Sequence, residues 1–166
     1  NLKVKYRESF RPFAPSVLRE DVEDWFNINT DSPYMLLVAD INQEKKIEMT
    51  ADENKLFGIE KLNIKRSEIP AVTHVDYSSR IQTITKKNNN RYYDLITKFK
   101  EKTGCPLLVN TSFNVRGEPI VNSPTDAFNC FMGTGLDFLV IGNCFLEKNK
   151  QNLDLKKDYL NNFELD

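Results

Sequence analysis

The sequence predicts a mixed α/β domain built around one twisted β-sheet. The chain has 166 residues, which is about the size of one domain. Its composition is ordinary for a globular protein, with 40% hydrophobic and 28% charged residues, and this excludes a wholly disordered chain. Predicted helices and strands alternate in the second half of the chain, as they do in α/β folds.

The first forty residues give the weakest pattern. Residues 1–20 are basic and aromatic, and Pro12 and Pro15 bar a regular helix, so we expect an ordered loop or edge segment. The acidic stretch 20–33 predicts a short helix. The continuous apolar run at 34–40 predicts a buried strand.

The middle of the chain begins with a polar, weakly patterned stretch. Residues 42–69 predict a long loop or insertion with a short helix near 52–57. Two strand regions are expected after Pro70, at 71–76 and at 80–85.

The second half contains the clearest elements. Residues 91–103 predict a helix with one apolar stripe, and Gly104 is suited to the position after its last turn. Ser123 predicts the N-cap of a second helix, with Pro124 in its first position and Gly133 at its end. The remaining segments are a buried strand at 106–109, a polar turn at 110–118, a strand at 137–141 and a charged, partly helical tail at 147–166.

Charge and cysteine content exclude several functional classes. The 23 basic and 24 acidic residues give a net charge of −1, which argues against a general nucleic-acid binder. The longest apolar runs, 35–39 and 138–141, are far too short to span a membrane. Cys105, Cys130 and Cys144 are an odd number at wide spacings, so we expect buried thiols in a reducing, cytoplasmic setting rather than disulfides or a zinc ribbon.

The first candidate site is the pair Lys5 and Arg7, with Arg11 nearby. In an extended segment, side chains two residues apart point to the same side. An ammonium beside a planar guanidinium suits phosphate or carboxylate. The alternative is a set of solvated surface cations, although the neighbouring prolines and phenylalanines would hold these cations in place.

The second candidate site is the polar turn after the 106–109 strand. Asn110, Ser112 and Asn114 supply amide and hydroxyl groups, and Arg116 adds a cation. Such a loop can bind phosphate at the end of a strand, where α/β folds commonly place ligands. It can equally be a turn whose polar groups satisfy one another.

The third candidate site surrounds the single histidine, His74. His74 and Asp76 alternate on a predicted strand and form an incomplete metal or acid/base pair, so a structural histidine is the competing interpretation. Arg80 is a better binding candidate, with an ordinary salt bridge as its alternative. A triad with Ser112 as nucleophile lacks the G-x-S-x-G turn that would support it.

Four segments together resemble the C-terminal domain of the NodU/TobZ family of O-carbamoyltransferases. These segments are R-E-S-F-R-P-F-A-P-S-V-L (7–18), P-A-V-T-H-V-D-Y-S-S-R-I-Q-T-I (70–84), P-L-L-V-N-T-S-F-N-V-R-G-E-P-I-V (106–121) and T-G-L-D-F-L-V-I-G-N (134–143). The resemblance covers residues 1–148 and leaves 149–166 as a charged tail. Tyr77 departs from it, because the family more often has a small residue there, and residues 42–69 are longer than the connection requires.

The resemblance implies a single YrdC-like domain with a twisted mixed sheet flanked by helices. YrdC-type enzymes carry a K-x-R and S-x-N tetrad, which Lys5, Arg7, Ser112 and Asn114 match. It implies that the domain converts carbamoyl phosphate and MgATP into carbamoyl-adenylate and pyrophosphate. No metal ligands are expected on this chain, because Mg²⁺ would arrive with the nucleotide.

Roles for the site residues follow from the same resemblance. Arg7, Arg80 and Arg116 would neutralise the phosphate of carbamoyl phosphate, and Asn110 would hydrogen-bond its carbamoyl group. Lys5 would stabilise charge on the ATP phosphates. Arg11, Ser112 and Asn114 would bind and orient the nucleotide.

The resemblance also implies a partner. A separate N-terminal domain, absent from this sequence, would transfer the carbamoyl group to a hydroxyl of a small molecule or sugar. The first residue, Asn1, and the motif-like stretch that follows it indicate a piece of a longer protein. The competing functions are a non-catalytic nucleotide- or RNA-binding module and a docking domain for the missing part.

Overall fold

The computed structural model describes residues 1–156, Tyr159 and Phe163, and it confirms the mixed α/β class. The chain divides into two compact units, each of which is described by itself. The sheet unit is Pro12–Thr111. The pocket unit combines Asn1–Arg11 with Ser112–Asp166.

The sheet unit contains a mixed four-stranded sheet. Its strands are β1 (Ala14–Leu18), β2 (Leu37–Asp40), β3 (Ser78–Ile84) and β4 (Leu107–Asn110), in the order β2-β3-β1-β4. β1 and β3 run parallel, whereas the β1–β4 and β2–β3 pairs are antiparallel. The strands predicted at 80–85 and 106–109 are therefore confirmed to within a few residues.

Both faces of this sheet are packed. On one face, Val17, Ile81 and Leu107 join a core that includes Val22 and Trp25 of the short helix α1 (Val22–Trp25). On the other face, Leu18 and Ile84 pack against α4 (Asn90–Thr103) in a cluster around Ile96. Alternate side chains of one strand therefore enter two different hydrophobic clusters, as the period of two in a β-strand requires.

The helix α4 forms where the sequence predicts it. The Asn89 side chain accepts a hydrogen bond from the Tyr92 N–H at 3.2 Å and caps the N-terminus. Gly104 ends the helix at a φ of 77°, in the left-handed region that favours glycine. Within the predicted apolar stripe Ile96 is buried and Leu95 is exposed, so the buried face is narrower than expected.

One strand prediction in this unit is wrong about burial, and another is wrong about the strand itself. The apolar run at 34–40 forms β2, but Leu37 and Val38 are exposed because β2 lies at the edge of the described sheet, beside β3. Residues 71–76 form no strand. A 3₁₀ helix at Pro70–Val72 and a turn occupy this stretch, and Tyr77 follows with a φ of 64°.

The insertion at 42–69 carries two one-turn helices, α2 (Ala51–Asn54) and α3 (Ile59–Leu62). The predicted helix near 52–57 corresponds to α2 but begins earlier. Its start is set by Thr50 and Glu53, which form a reciprocal capping box.

The pocket unit is built from α5 (Pro124–Gly133) and a hairpin of β5 (Phe138–Ile141) and β6 (Cys144–Glu147). Ser123 caps α5 as predicted, with its hydroxyl accepting from the Asp126 N–H at 3.1 Å. Phe131, Met132 and Leu139 form the core between helix and hairpin. The strand β6 was not predicted.

The described residues test only part of the prediction of a partly helical tail at 147–166. Short 3₁₀ helices lie at Lys148–Lys150 and Leu153–Leu155. Residues 157, 158, 160–162 and 164–166 lie outside the described residues.

The three thiols occupy three different environments. Cys130 is buried, Cys105 is half-buried and Cys144 is exposed, so the prediction of buried thiols is wrong for Cys144. Cys144 lies at the start of an edge strand in a two-stranded sheet, which leaves its side chain uncovered. Burial raises the pKa of the Cys130 thiol to about 12, so it is protonated at neutral pH.

Among the helices of residues 1–156, none is both long enough and apolar enough to cross a lipid bilayer.

Candidate anion-binding site

The N-terminal segment of the pocket unit is a series of turns, not the extended segment that the K-x-R argument assumed. Tyr6, between the two cations, has a φ of 49°, which an extended strand does not allow. Its hydroxyl donates a 2.6 Å hydrogen bond to the Gly133 carbonyl. The Arg116 N–H donates to the Lys5 carbonyl at 3.0 Å, so this segment lies against the polar turn.

Lys5 is the centre of the site. Only 4% of the residue is exposed. Its ammonium donates to the Ser112 carbonyl at 2.6 Å, to the Ser112 hydroxyl at 3.2 Å and to Asn114 Oδ1 at 2.7 Å. These are three neutral acceptors for the three protons of a buried cation, so its charge is not neutralised by its hydrogen-bond partners.

The polar turn holds Asn114 in one orientation. Asn114 Oδ1 accepts from the Ser112 hydroxyl at 2.6 Å, and its Nδ2 donates to the Glu118 carbonyl at 2.8 Å. The Glu118 carboxylate accepts from the Val115 N–H at 2.8 Å, and Gly117 completes the turn at a φ of 78°. The groups of this loop therefore satisfy one another, and the oxygens of Ser112 and Asn114 also accept from Lys5. Phosphate binding by the loop stays a prediction.

A cavity of about 320 Å³ opens beside this network. Four of the side chains that line it are cationic, and six of the eight predicted site residues belong to its lining. The lining residues are Lys5, Arg7, Arg11, Ser112, Asn114, Val115, Arg116 and Gly117. The volume lies at the lower end of the range for small-molecule sites, roughly 300–1,000 Å³.

The gathered cations disfavour one another's charge. Burial lowers the pKa of the Lys5 ammonium below its ordinary value of 10.5, and the positive charge of Arg7 lowers it further. Burial likewise lowers the pKa of Arg7, and Arg11 adds to this effect. An anion in the cavity would reverse these penalties, because it favours the charged form of each group.

One carboxylate lies among these cations. Glu8 Oε2 lies 3.4 Å from Arg11 Nη2, and Glu8 Oε1 lies 3.6 Å from Arg116 Nη1. These ion pairs are partly exposed and each contributes little to stability, about 0–1 kcal/mol. A phosphate group could therefore replace the carboxylate at small cost.

The other two predicted site residues, Arg80 and Asn110, belong to the sheet unit. Arg80 is exposed on β3, where it pairs with Val38 of β2. Asn110 Nδ2 donates to Gln82 Oε1 at 2.6 Å, and that oxygen also accepts from the Ser16 hydroxyl at 2.7 Å. Strand alternation places Arg80, Gln82 and Asn110 on one face of the sheet.

The surroundings of His74 are those of a local turn. The His74 N–H donates to the Ser78 carbonyl at 2.9 Å, and its Nδ1 lies 3.5 Å from the Ser78 hydroxyl. Asp76 Oδ1 accepts from the Ser78 N–H at 3.0 Å, so the carboxylate caps the turn. In the part of the chain that the structure describes, no group of three or more His, Cys, Asp or Glu residues is arranged to hold a metal ion.

Sequence reasoning missed the roles of two residues that contact the polar turn. Glu118 closes the polar turn, and the Tyr159 hydroxyl donates to Glu118 Oε1 at 2.8 Å. Glu118 follows Asn114 by four residues, a spacing that could have suggested a turn-closing contact. No comparable signal connects Tyr159 to the turn, because 41 residues separate the pair.

The fold and the cavity together define a class of protein. It is an α/β domain with a small polycationic cavity, in which a buried lysine and an S-x-N turn meet. Comparison with known proteins identifies the class more closely, because the family model for the carbamoyltransferase C-terminus matches residues 1–148. The chain belongs to this family.

Individual relatives agree with this assignment. An uncharacterised Synechocystis protein is 56% identical over the whole chain, and nodulation protein NolNO of Sinorhizobium fredii is 38% identical over 89% of it. The 3′-hydroxymethylcephem-O-carbamoyltransferase of Amycolatopsis lactamdurans is 28% identical over 88% of the chain. The chain spans 27%, 19% and 24% of the lengths of these relatives, respectively.

Proposed function

We propose that this chain forms the carbamoyl-activating part of an O-carbamoyltransferase. It binds carbamoyl phosphate and MgATP and forms carbamoyl-adenylate. A domain outside this chain then transfers the carbamoyl group to a hydroxyl of a small molecule or sugar. Membership of the carbamoyltransferase C-terminal family supports the carbamoyl chemistry.

The observation that carries the proposal is the buried Lys5 ammonium in a cavity lined by three arginines. Both substrates are polyanions, and each could supply negative charge to a cavity whose four cationic side chains outnumber the Glu8 carboxylate among them. Burial makes the interaction stronger than it would be in water, because the effective dielectric constant is lower. Arg7, Arg11 and Arg116 add planar donors that suit phosphate oxygens.

The proposed reaction has two steps. Water cleaves the bond between the carbamoyl group and phosphate, which leaves carbamate and inorganic phosphate. A carbamate oxygen then attacks the α-phosphorus of ATP, and the bond to pyrophosphate breaks as the new P–O bond forms. The second step needs no general base because carbamate is already anionic, so the chain mainly has to position the substrates and stabilise their charge.

Five side chains of the cavity have separate roles in this proposal. Lys5 stabilises charge that develops on the ATP phosphates, while Ser112 and Asn114 hold the ammonium and orient the nucleotide. Arg7 and Arg116 bind the phosphate group of carbamoyl phosphate. Arg80 and Asn110 belong to the sheet unit, and their roles in substrate binding stay predictions.

The test is carbamoyl-phosphate-dependent exchange between ATP and pyrophosphate. We expect Lys5→Met to lower the exchange rate by roughly 10²–10³-fold, the usual effect of removing one well-placed electrostatic group. Lys87→Met is the matched control, because Lys87 is an exposed lysine in a turn of the sheet unit, and it should leave the rate unchanged.

Binding measurements decide between the remaining outcomes. MgATP binding that depends on Lys5, without exchange, would contradict activation by this chain alone and support a nucleotide site completed by another domain. Absence of both exchange and binding in the folded parent chain would contradict the proposal and favour a docking role.

A further inference from the structure

The segment beyond residue 148, where the family match ends, contributes a buried side chain to the pocket unit. Tyr159 is 6% exposed and packs with Val115 and Cys130. The ring of Phe163 contacts it edge-on, with the ring centroids 5.2 Å apart. Tyr159 is therefore part of the unit's core and is not a solvated residue of a tail.

Gly133, the last residue of α5, provides the space for this ring. A Cβ placed on Gly133 would overlap the ring of Tyr159 at Cδ2 and Cγ. The carbonyl of the same glycine accepts a hydrogen bond from the hydroxyl of Tyr6, the residue that follows Lys5. The glycine thus lies where the N-terminal segment and the C-terminal tyrosine both contact α5.

The Tyr159 hydroxyl meets the turn that orients Lys5. It donates to Glu118 Oε1 at 2.8 Å, while Glu118 Oε2 accepts from the Val115 N–H at 2.8 Å. Each carboxylate oxygen thus has its own donor, and the Cys130 thiol also hydrogen-bonds the carboxylate, so rotation of the carboxylate would break at least one of these contacts. Burial and the Glu118 carboxylate both raise the pKa of Tyr159, so its hydroxyl stays protonated and remains a donor.

The chain of hydrogen bonds continues from Glu118 to the ammonium. The Glu118 carbonyl accepts from Asn114 Nδ2 at 2.8 Å, and Asn114 Oδ1 accepts from Lys5 Nζ at 2.7 Å. Rotating the Asn114 amide would present its NH₂ group to the ammonium, which repels it. The direction of the Lys5 side chain thus depends on the carbonyl and the carboxylate of Glu118 keeping their places.

We propose that Tyr159 is a positioning residue of the anion-binding cavity. Its hydroxyl holds the Glu118 carboxylate, which keeps the 114–118 turn closed so that Asn114 directs the Lys5 ammonium towards a bound phosphate group. This role rests on the proposed function, because it assigns to the cavity the phosphates of that reaction.

The test compares Tyr159→Phe with Tyr93→Phe. Tyr159→Phe removes only the hydroxyl and keeps the ring that fills the space above Gly133. Tyr93→Phe is the matched control, because the Tyr93 hydroxyl also donates to a carboxylate, that of Glu20, but lies in the sheet unit. Calorimetric titration measures the affinity of the cavity for pyrophosphate. Hydrogen exchange of the Val115 amide measures how well the turn stays closed.

We expect Tyr159→Phe to weaken pyrophosphate binding about tenfold, which corresponds to about 1.4 kcal/mol. The same variant should lose protection at the Val115 amide, and the Lys5 ε-carbon resonance should titrate at a higher pH as the ammonium becomes more solvated. Tyr93→Phe should change none of these. A purely structural tyrosine would leave the affinity unchanged in the Phe variant, since the ring remains.

Failure of this inference can be distinguished from failure of the proposed function. Unchanged pyrophosphate affinity in Tyr159→Phe, or an equal loss in both variants, overturns the positioning role. If the parent chain binds pyrophosphate but shows no exchange and no MgATP binding, the proposed function fails while the positioning role is still decided by the variants. If the parent chain binds no pyrophosphate, hydrogen exchange of the Val115 amide is the deciding measurement. Unchanged protection of this amide in Tyr159→Phe then overturns the positioning role.

Discussion

Lys5 carries its positive charge in surroundings that disfavour it. The residue is buried, its hydrogen-bond acceptors are neutral oxygens, and Arg7 lies close enough to disfavour its charge further. A buried cation of this kind is costly to the folded state unless an opposite charge arrives. This arrangement supports the proposed binding of an anion.

The lowered pKa of Lys5 predicts a specific pH dependence. Anion binding should weaken as the pH rises through that lowered pKa, at a pH below the ordinary value of 10.5. In the same window the unfolded chain binds more protons than the folded chain, so the stability of the free protein should increase with pH. Pyrophosphate titrations and urea unfolding between about pH 7 and 11 measure the two effects.

A matched variant tests the assignment of this pH dependence to Lys5. Lys5→Arg keeps a positive charge throughout this range, because an arginine side chain does not deprotonate in proteins. Any binding that the variant retains should persist to higher pH than in the parent chain. An identical alkaline loss in both proteins would contradict the assignment.

At the level of secondary structure elements, local signals determine α4 and α5. Asn89 and Ser123 cap the two helices through side-chain oxygens, and Gly104 and Gly133 lie at their ends. These contacts reach no further than four residues along the chain, so they are readable in the sequence. Strands are harder to predict than helices from the sequence. The β2 and 71–76 segments are both short and partly apolar, but only β2 forms a strand, because it pairs with β3.

Gly104→Ala tests the local control of α4. Gly104 has a φ of 77°, and no atom lies within 4 Å of the place that a Cβ would occupy, so the expected loss comes from backbone strain alone. We expect the free energy of unfolding to fall by about 1–2 kcal/mol. Urea denaturation followed by circular dichroism measures this loss.

The control for this prediction lies in the same helix. Lys102→Ala changes an exposed side chain in the last turn of α4 and should alter stability by no more than about 0.5 kcal/mol. If Gly104→Ala lowers the free energy of unfolding no more than the control does, the left-handed conformation of Gly104 does not determine where α4 ends.

At the scale of the whole molecule, average composition hides the site. The chain carries a net charge of −1, yet four cationic side chains line one cavity. The argument from net charge against a general nucleic-acid binder is thus compatible with a local site for a small anion. The family match supplies what composition could not, since it assigns the chain to the carbamoyltransferase C-terminal family.

The organisation of the two units predicts how fragments should behave. A fragment of residues 12–111 keeps its own four-stranded sheet and both hydrophobic clusters, so we expect it to unfold cooperatively in urea. A fragment of residues 112–166 loses the Lys3 and Lys5 carbonyls that accept from Gly135 at 2.7 Å and Arg116 at 3.0 Å. We expect this fragment to be unfolded, as measured by circular dichroism.

Joining residues 1–11 to the second fragment through a flexible linker should restore cooperative unfolding. A fragment of residues 112–166 that folds equally well without 1–11 would contradict the assignment of both segments to one unit.

The mixed α/β class, the helices α4 and α5 with the caps at Gly104 and Ser123, and the family could all be predicted from the sequence without a structure. The K-x-R and S-x-N motifs also identified Lys5, Ser112 and Asn114 as candidates, because their residue types are visible in the chain. Three-dimensional packing was needed to show that Lys5 reaches Asn114 across 109 residues, that Tyr6 turns the chain between Lys5 and Arg7, and that Tyr159 holds Glu118. The reason is physical: caps and helix periodicity act within four residues, whereas contacts between distant segments depend on how the whole chain packs.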